Sequence, residues 1–244
     1  MARARVNSAI CLAPHVRACA CEGQVILLDL QRSRYLGVPG ARFARLAPFV
    51  RGWPQATETP HAATLTPSEF EALAAPLLRQ GLLTRGAAAL ATRQTLPEAI
   101  ESLNADELIT AARLGPARAL RIASACTSAA LRLRWQSLDT IAARLVARRC
   151  RRVAEHARPD GPAQLREAVA AYLRLRPLLL TAQDRCLHDS LSLAGFLATE
   201  GWFAHWVIGV TARPFAAHAW VQTDGLVLSD LHENVRRYTP ILVA

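Results

Sequence analysis

The sequence has no lysine, no long uninterrupted apolar run and no pair of CxxC motifs. All 29 basic residues are arginine, which indicates genomic composition more than mechanism. No apolar stretch reaches the roughly 20 residues that span a bilayer, which excludes a transmembrane helix. The chain has a basic start, but His15 and Arg17 interrupt the apolar stretch that follows it, which disfavours a signal peptide. We therefore expect a folded cytoplasmic protein with no membrane partner.

Six cysteines are scattered along the chain, and only Cys19 and Cys21 are near neighbours. A C-x-C pair on a strand points both thiols to one face, but no second cluster of ligands accompanies this pair. Structural zinc sites take four ligands, commonly from two such pairs. The sequence therefore predicts no metal site, and in a reducing compartment most of the thiols are expected to be small core residues.

Positive charge is concentrated in residues 113–176, where 14 arginines accompany four acidic residues. Such a block is typical of a surface for nucleic acid, another polyanion or an acidic protein. It is equally typical of solvated faces of amphipathic helices, whose arginine stems cover apolar surface, and this simpler interpretation is preferred. With 52% hydrophobic and 20% charged residues, the chain has enough apolar material for a packed core.

The first part of the chain alternates short apolar runs with turn residues, which predicts strands at 15–23, 24–30 and 34–38, with the chain turning at Glu22-Gly23 between the first two. A helix is predicted over 41–50 from the spacing of its apolar residues. Three strands with two or three helices are the plan of a small winged-helix-like domain. We assign it to residues 1–88.

A second helix of that domain has a clear start, because Thr66 and Glu69 form a capping box around Pro67. Its apolar residues continue to Gly81. Pro76 lies inside this helix and predicts a kink or a break, since proline removes a main-chain donor and clashes with the preceding turn. The Pro- and Thr-rich residues 52–65 before it predict a loop.

A linker is predicted at residues 89–103, and a second domain over 104–244. Leucines and alanines at three- and four-residue spacing predict helices at 104–126, 135–157 and 162–176. Strands are predicted at 201–211, 214–225 and 226–230, with the turn between the last two at 223–225. Helices followed by an antiparallel meander indicate an α+β class.

The stretch DRCLHDSLSLAG, residues 184–195, places Cys186 at the start of a predicted helix that Asp184 can cap. Unpaired N–H groups at a helix N-terminus lower the pKa of a thiol. A nucleophilic thiol also needs a base and a group that orients the base. His188 would point away from Cys186 on a helix, whereas His218 lies mid-strand and Asp230 ends the next strand. Antiparallel pairing about the turn would bring His218 and Asp230 side by side.

Each member of this set also has an ordinary structural interpretation. A cysteine at a helix start is often a buried filler, a histidine among alanines is often a core residue, and an aspartate at a strand end is often a turn residue. Nucleophile on a helix, base on a strand and carboxylate on the following strand is the order of papain-like and transglutaminase-like enzymes. The N–H of Cys186 would donate to an oxyanion, and Gln183 is a candidate second donor. The residues alone leave both interpretations open.

Residues 184–230 resemble the core of the lasso-peptide biosynthesis B proteins. The matching motifs are CLHDSLSL, the IGV strand, PFAAHAWV and a trailing aspartate. Proteins of that family are transglutaminase-like cysteine peptidases that remove the leader from a ribosomally made precursor. The resemblance implies that Cys186 is the nucleophile, His218 the base and Asp230 its orienting partner. It also implies an ATP-dependent lasso cyclase as partner, and no metal or organic cofactor.

The stretch VILLDLQRSRYLGV, residues 25–38, is similar to the start of the precursor-recognition element of that family, which has a winged-helix fold. The resemblance implies that the leader adds as a strand beside the third β-strand and packs on the last helix. The corresponding residues are Arg34, Tyr35, Leu36, Gly37, Val38, Leu73, Leu77 and Leu78. Fusing the two domains in one chain would raise the effective concentration of the bound leader at the peptidase.

Two alternative functions stay open at this point. A nucleic-acid-binding winged-helix protein would use the arginine block, but residues 67–80 contain only Arg79, so nucleic acid is not the expected partner. An acyl transferase with the same Cys-His-Asp triad would pass the acyl group to an amine instead of water.

Overall fold

The computed structural model describes residues 10–54, 65–86, 96–103, 114–155, 161–179 and 186–244. The chain divides into two units. The first comprises Met1–Arg93 with Thr211–Ala216, and the second comprises Gln94–Val210 with Ala217–Ala244. Helices and strands occur in both the N-terminal and C-terminal parts of the chain, and the predicted α+β class is confirmed.

The first unit contains two three-stranded sheets. One has the order β2-β3-β4, with antiparallel neighbours formed by Val16–Cys21, Gln24–Asp29 and Arg34–Val38. The other has the order β5-β1-β6, formed by Val50–Arg51, Ile10–Leu12 and Leu83–Arg85. Between β2 and β3 the chain turns at Glu22 and Gly23, whose positive φ angles of 48° and 75° suit a tight hairpin turn.

Helices α1, Gly40–Leu46, and α2, Pro67–Arg79, belong to the same unit. α1 is shorter than predicted because Pro48 disfavours helical geometry at the residue before it. α2 begins as predicted: the Glu69 N–H donates to Thr66 Oγ1 at 3.3 Å, and the Thr66 N–H donates to Glu69 Oε2 at 2.9 Å.

Of the kink or break predicted at Pro76, the break does not occur, since α2 continues to Arg79. Proline removes one helical hydrogen bond, but Ala74 and Leu77 on either side of it are buried in the core of this unit. Packing therefore outweighs the local propensity. Residues 55–64 lie outside the described part of the chain, so the winged-helix plan stays a prediction.

The second unit is organised around a five-stranded sheet with the order β11-β8-β9-β10-β7, although the hairpin end at Thr211–Ala216 is grouped with the first unit. In that order the strands are Thr239–Val243, His205–Ala212, Phe215–Thr223, Leu226–Val227 and Glu101–Ser102. β7 is parallel to β10, and β10 is antiparallel to β9. β7 comes from the segment 89–103 that was predicted as a linker, so that segment ends in a strand of the second unit.

The hairpin of β9 and β10 turns at Asp224 and Gly225, whose φ angles are 46° and 83°. Its register pairs Leu226 with Thr223. The predicted strand 226–230 is wrong beyond Val227, because the Val221 N–H donates to Ser229 Oγ at 3.0 Å instead of a main-chain oxygen. Past β10 the main-chain pairing is reduced to one bond, from the Leu228 N–H to the Val221 oxygen at 2.9 Å, after which the chain leaves the ladder.

Five helices of the second unit are described: Pro116–Trp135 (α3), Leu138–Glu155 (α4), Pro162–Leu179 (α5), Cys186–Thr199 (α6) and His232–Val235 (α7). Residues 104–113 of the first predicted helix lie outside the described residues. α6 packs against α3 and α5, and its side chains from Asp189 to Ala194 are buried. The Trp206 Nε1–H donates to Ser190 Oγ at 2.9 Å and so ties β8 to α6. Over the described residues, no helix combines the length and apolarity needed to cross a membrane.

Candidate active site

Cys186 is the first residue of α6 and is half-buried. At this position the first-turn N–H groups of the helix have no helical partner, so they favour negative charge. Four of the other five cysteines, Cys11, Cys19, Cys21 and Cys126, are buried, as predicted, and Cys150 is exposed. Gln183 and Asp184, the predicted oxyanion donor and helix cap, lie outside the described residues.

His218 lies in the middle of β9, and its Nε2 is 2.6 Å from Asp230 Oδ2. A second hydrogen bond joins the imidazole to the thiol of Cys186. Because Nε2 is engaged by the carboxylate, Nδ1 is the ring nitrogen left to exchange a proton with the sulfur. Burial disfavours the imidazolium, but the bonds to Asp230 and Cys186 outweigh it and raise the pKa of His218 to about 9.

Asp230 follows β10, at the point where the chain has left the ladder. Its Oδ1 accepts the Leu231 N–H at 2.7 Å, and the Asn234 amide donates to Oδ1 and Oδ2 at 3.2 and 3.1 Å. Burial raises the pKa of this carboxyl, but the bonds from His218, Leu231 and Asn234 together hold it below its usual value. The group is therefore a carboxylate at neutral pH.

The thiol of Cys186 lies at the other end of this chain of hydrogen bonds from Asp230. Its bond with His218 is the largest cause that lowers the pKa of Cys186, while burial opposes it. The main-chain N–H groups of Ala219 and Leu187 also donate to the sulfur and lower the pKa further. The arrangement favours a thiolate–imidazolium pair, which is the activated form of a cysteine nucleophile.

This geometry is the one expected of an enzyme that forms a thioester on cysteine, and it lies wholly within the second unit. Residues 125–243 match the model of the transglutaminase-like superfamily. The matched range, just under half of the chain, contains Cys186, His218 and Asp230. The chain thus carries a transglutaminase-like domain.

The transglutaminase-like superfamily typically comprises Cys-His-Asp enzymes and includes both peptidases and acyltransferases. The match is to the superfamily as a whole and does not separate those two chemistries. Comparisons with curated proteins and with solved structures gave no match.

Two aromatic rings lie beside His218 in the transglutaminase-like domain. The ring centroid of Trp220 is 6.2 Å away at an interplanar angle of 17°, and that of Tyr238 is 5.3 Å away at 34°. Trp220 is buried, and its Nε1–H donates to Gln222 Oε1 at 3.0 Å. The rings restrict the imidazole to the plane in which it meets both the sulfur and the carboxylate.

Gly209 on β8 makes room for these rings. A Cβ at this position would lie 2.8 Å from two ring atoms of Trp220 and 2.8 Å from the Cβ of Tyr238. Such distances are below van der Waals contact, so only glycine fits without moving a ring. The glycine of the IGV strand therefore supports the packing around His218.

A buried polar cluster lies one helical turn beyond Cys186. The Tyr172 hydroxyl donates to Asp189 Oδ1 at 2.8 Å, and the Arg176 Nε–H is 3.2 Å from Asp189 Oδ2. Burial raises the pKa of Asp189, although Arg176 and Tyr172 oppose that effect. His188 Nε2 lies 2.9 Å from the main-chain oxygen of Cys126. These contacts connect α6 to α5 and α3, and His188 forms the contact with α3.

The residues predicted to bind a leader lie in the first unit. Among the described strands, β4 lies at the edge of its sheet. Its residues differ in burial: Arg34 and Gly37 are exposed, Tyr35 and Leu36 are half-buried, and Val38 is buried. On α2, Leu73 and Leu78 are half-buried, whereas Leu77 is 3% exposed and belongs to the core. On α2, therefore, Leu73 and Leu78 keep part of their surface accessible, whereas Leu77 packs inside the core of the unit.

Sequence reasoning missed Asn234, Tyr238, Trp220 and Gly209 as parts of the site. Asn234 and Tyr238 contact the triad only because the chain after Asp230 turns back as α7, which no spacing rule indicates. Trp220, two residues after His218 on the same strand face, could have been found from strand alternation. Within the described residues, no group of three histidine, cysteine or acidic side chains is placed to hold a metal ion.

Proposed function

We propose that this chain is a cysteine peptidase that binds the leader of a ribosomally made lasso-peptide precursor and cleaves the leader from the core. The observation that carries the proposal is the hydrogen-bonded chain from Cys186 through His218 to Asp230, with Nε2 of His218 2.6 Å from Asp230 Oδ2. The motifs CLHDSLSL and PFAAHAWV around the first two residues supply the choice of substrate class.

In the proposed reaction the Cys186 thiolate attacks the carbonyl carbon at the leader–core junction. The negative charge on the resulting oxyanion is stabilised by the N–H of Cys186 and, in the proposal, by Gln183. The imidazolium of His218 then donates its proton to the nitrogen of the core peptide, the C–N bond breaks, and the leader is left as a thioester on Cys186. His218 next takes a proton from water, whose oxygen attacks the thioester and releases the leader as a free carboxylate.

Leader recognition is proposed for the edge strand β4. An extended peptide adds to the edge of a sheet as a further strand through main-chain hydrogen bonds. Residues Arg34 to Val38 would provide these bonds, and the half-buried Leu73 and Leu78 of α2 would provide apolar contact. The freed core would pass to an ATP-dependent cyclase, the proposed protein partner.

The decisive experiment compares the Cys186→Ala variant with the Cys150→Ala variant. Both lose one thiol, but Cys150 is exposed on α4, away from His218. The substrate is a precursor peptide, to be identified by a search for a short reading frame beside this gene, and mass spectrometry identifies the products. We expect Cys186→Ala to abolish cleavage while leader affinity is kept, and Cys150→Ala to cleave normally.

Cleavage by Cys186→Ala would contradict the proposed mechanism. Product masses also separate the two chemistries of the superfamily. A leader that ends in a free carboxylate supports hydrolysis, whereas a leader that has gained the mass of an added amine supports the alternative acyl transferase.

A further inference from the structure

Asp230 is held by more than its bond to His218. Its two oxygens accept four hydrogen bonds: from His218 Nε2 at 2.6 Å, from the Leu231 N–H at 2.7 Å, and from the Asn234 amide at 3.2 and 3.1 Å. An ionised carboxylate has about four acceptor sites, so this one is fully occupied. Asn234 is the only side chain besides His218 that the described residues place on it.

The direction of the Asn234 amide is fixed from its other side. The Arg237 Nη2–H donates to Asn234 Oδ1 at 2.8 Å. If the amide were reversed, its oxygen would face the carboxylate and its NH2 group would face the guanidinium, and both contacts would be repulsive. Arg237 therefore makes the Asn234 NH2 the group that meets Asp230.

A carboxylate turns readily about its last bond unless hydrogen bonds hold it. The Asn234 amide bonds both oxygens at once, so it fixes the carboxylate plane as well as its charge. A fixed plane keeps Oδ2 directed at Nε2 of His218, which in turn keeps Nδ1 directed at the sulfur of Cys186. The line of contacts thus runs from Arg237 on the surface through Asn234 to the nucleophile.

We propose that Asn234, oriented by Arg237, is a positioning residue for the triad, a role that rests on the proposed function and extends it. Asn234 touches neither substrate nor reacting atoms, and it acts by holding Asp230 in the ionised form and in one orientation. Without it the carboxylate supports the imidazolium of His218 less well, and the thiolate of Cys186 loses part of its counter-charge.

Other charged groups around Asp230 stay in place in the variants that test this role. His218 faces it within the triad, and the charge of Asp189 on α6 is close enough to interact with it. On α7, His232 lies 3.2 Å from both Ser102 Oγ and Glu233 Oε2. None of these contacts includes Asn234 or Arg237.

The test uses Asn234→Leu, which keeps the approximate size and removes the donor, and Arg237→Gln, which frees the amide to turn. The matched control is Arg236→Gln, because Arg236 is the neighbouring exposed arginine and pairs with Glu98 at 2.9 Å instead. The first readout is the rate of Cys186 alkylation by iodoacetamide as a function of pH in the full-length protein, which needs no peptide substrate. A Cys150→Ala background removes the exposed thiol.

We expect the alkylation inflection to move to higher pH in Asn234→Leu and, by less, in Arg237→Gln, with Arg236→Gln unchanged. In the cleavage assay kcat should fall about tenfold in Asn234→Leu with KM kept, the size of one hydrogen bond to a charged group. If Asn234→Leu does not fold, Arg237→Gln carries the test. Alkylation profiles of both variants that superimpose on the parent would overturn the proposal, even if the precursor is never cleaved. A shifted profile without any cleavage by the parent would instead overturn the proposed function alone.

Discussion

Burial and hydrogen bonding act in opposite directions on each residue of the candidate triad. Burial alone would favour a neutral thiol, a neutral imidazole and a protonated carboxyl. Bonds along the chain reverse all three preferences, so that the pKa values of Cys186 and Asp230 are lowered and that of His218 is raised to about 9. The ionised state thus depends on all three residues together, and the pKa values observed in a titration would be those of the coupled triad.

A pH profile of cleavage follows from these directions. The active form needs the thiolate, which is lost as pH falls through the lowered pKa of Cys186, and the imidazolium, which is lost as pH rises through about 9. We expect kcat/KM to be bell-shaped, with its alkaline limb near pH 9 and its acid limb below the ordinary thiol pKa. Asp230→Asn should narrow the plateau from both sides, because the imidazolium loses its carboxylate. An alkaline limb near the ordinary imidazole pKa of about 6.5 in the parent protein would contradict this account.

The neighbouring residues in the sequence indicated the role of some site residues but not of others. Cys186 was recognisable from the helix pattern that follows it, and the pairing of His218 with Asp230 from the length of one hairpin. Asn234 was not, because its contact with Asp230 depends on a short helix whose direction is set by tertiary contacts. Local rules reach as far as one hairpin or one helix and no further.

At the scale of elements, the missing side chain at Gly209 on β8 leaves space for side chains of β9 and of the chain before β11. Gly209 allows Trp220 and Tyr238 to meet over β8, where a Cβ would come within 2.8 Å of both. Gly195 in α6 is different, since a Cβ there would lie 3.9 Å from the Cβ of Ala125, an ordinary contact. The two glycines therefore form a matched pair for substitution.

We expect Gly209→Ala to lower the free energy of unfolding by about 1–3 kcal/mol through overpacking. It should also lower kcat by at least about tenfold, because displaced rings no longer restrict His218. Gly195→Ala should raise the free energy of unfolding by about 0.5–1 kcal/mol, since alanine favours the helix, with activity kept. Urea unfolding and single-turnover cleavage measure the two effects. Equal behaviour of the two variants would show that the rings beside His218 do not matter.

The observed ends of the helices and strands agree with the predicted ones where local interactions determine them. They differ where tertiary packing determines them. The hairpin at Glu22-Gly23 and the capping box at Thr66 are local, and both were predicted. Pro76 was expected to kink or break α2, yet the helix continues past it and Leu77 is buried in the core. β10 was expected to reach residue 230, yet Ser229 supplies a side-chain oxygen that ends the ladder at Val227.

At the scale of the whole molecule, the arginine block has internal partners. Arg118 bonds Glu167 at 2.7 Å, and Arg149 Nη1 lies 2.5 Å from His205 Nδ1. Arg121 bonds Glu200 at 3.1 Å, and Arg176 bonds Asp189 at 3.2 Å. These contacts favour the interpretation that the arginines lie on helix faces, where they form ion pairs and their aliphatic stems cover apolar surface. They disfavour the interpretation that the block is a nucleic-acid-binding surface.

The proposed function assigns leader binding to the first unit and cleavage to the second, and a matched pair of substitutions on one sheet can test this assignment. Ala18, Leu27 and Leu36 form one row across β2, β3 and β4, and both edge residues are half-buried. Ala18→Asp and Leu36→Asp therefore place the same charge in similar surroundings at opposite edges. We expect both to lower the free energy of unfolding, since each desolvates a carboxylate.

Only the change on β4 should affect the leader. We expect Leu36→Asp to raise the Kd for a fluorescent leader peptide at least about tenfold, as lost edge contacts and a misplaced charge would do. Ala18→Asp should leave that Kd within about twofold, because β2 is the opposite edge. The anisotropy titration is run in a Cys186→Ala background, so that no cleavage intervenes. Alkylation of Cys186 in otherwise unaltered protein should be the same for both variants, which separates loss of docking from damage to the triad. Equal loss of leader affinity in the two variants would assign the effect to stability and would remove β4 as the docking edge.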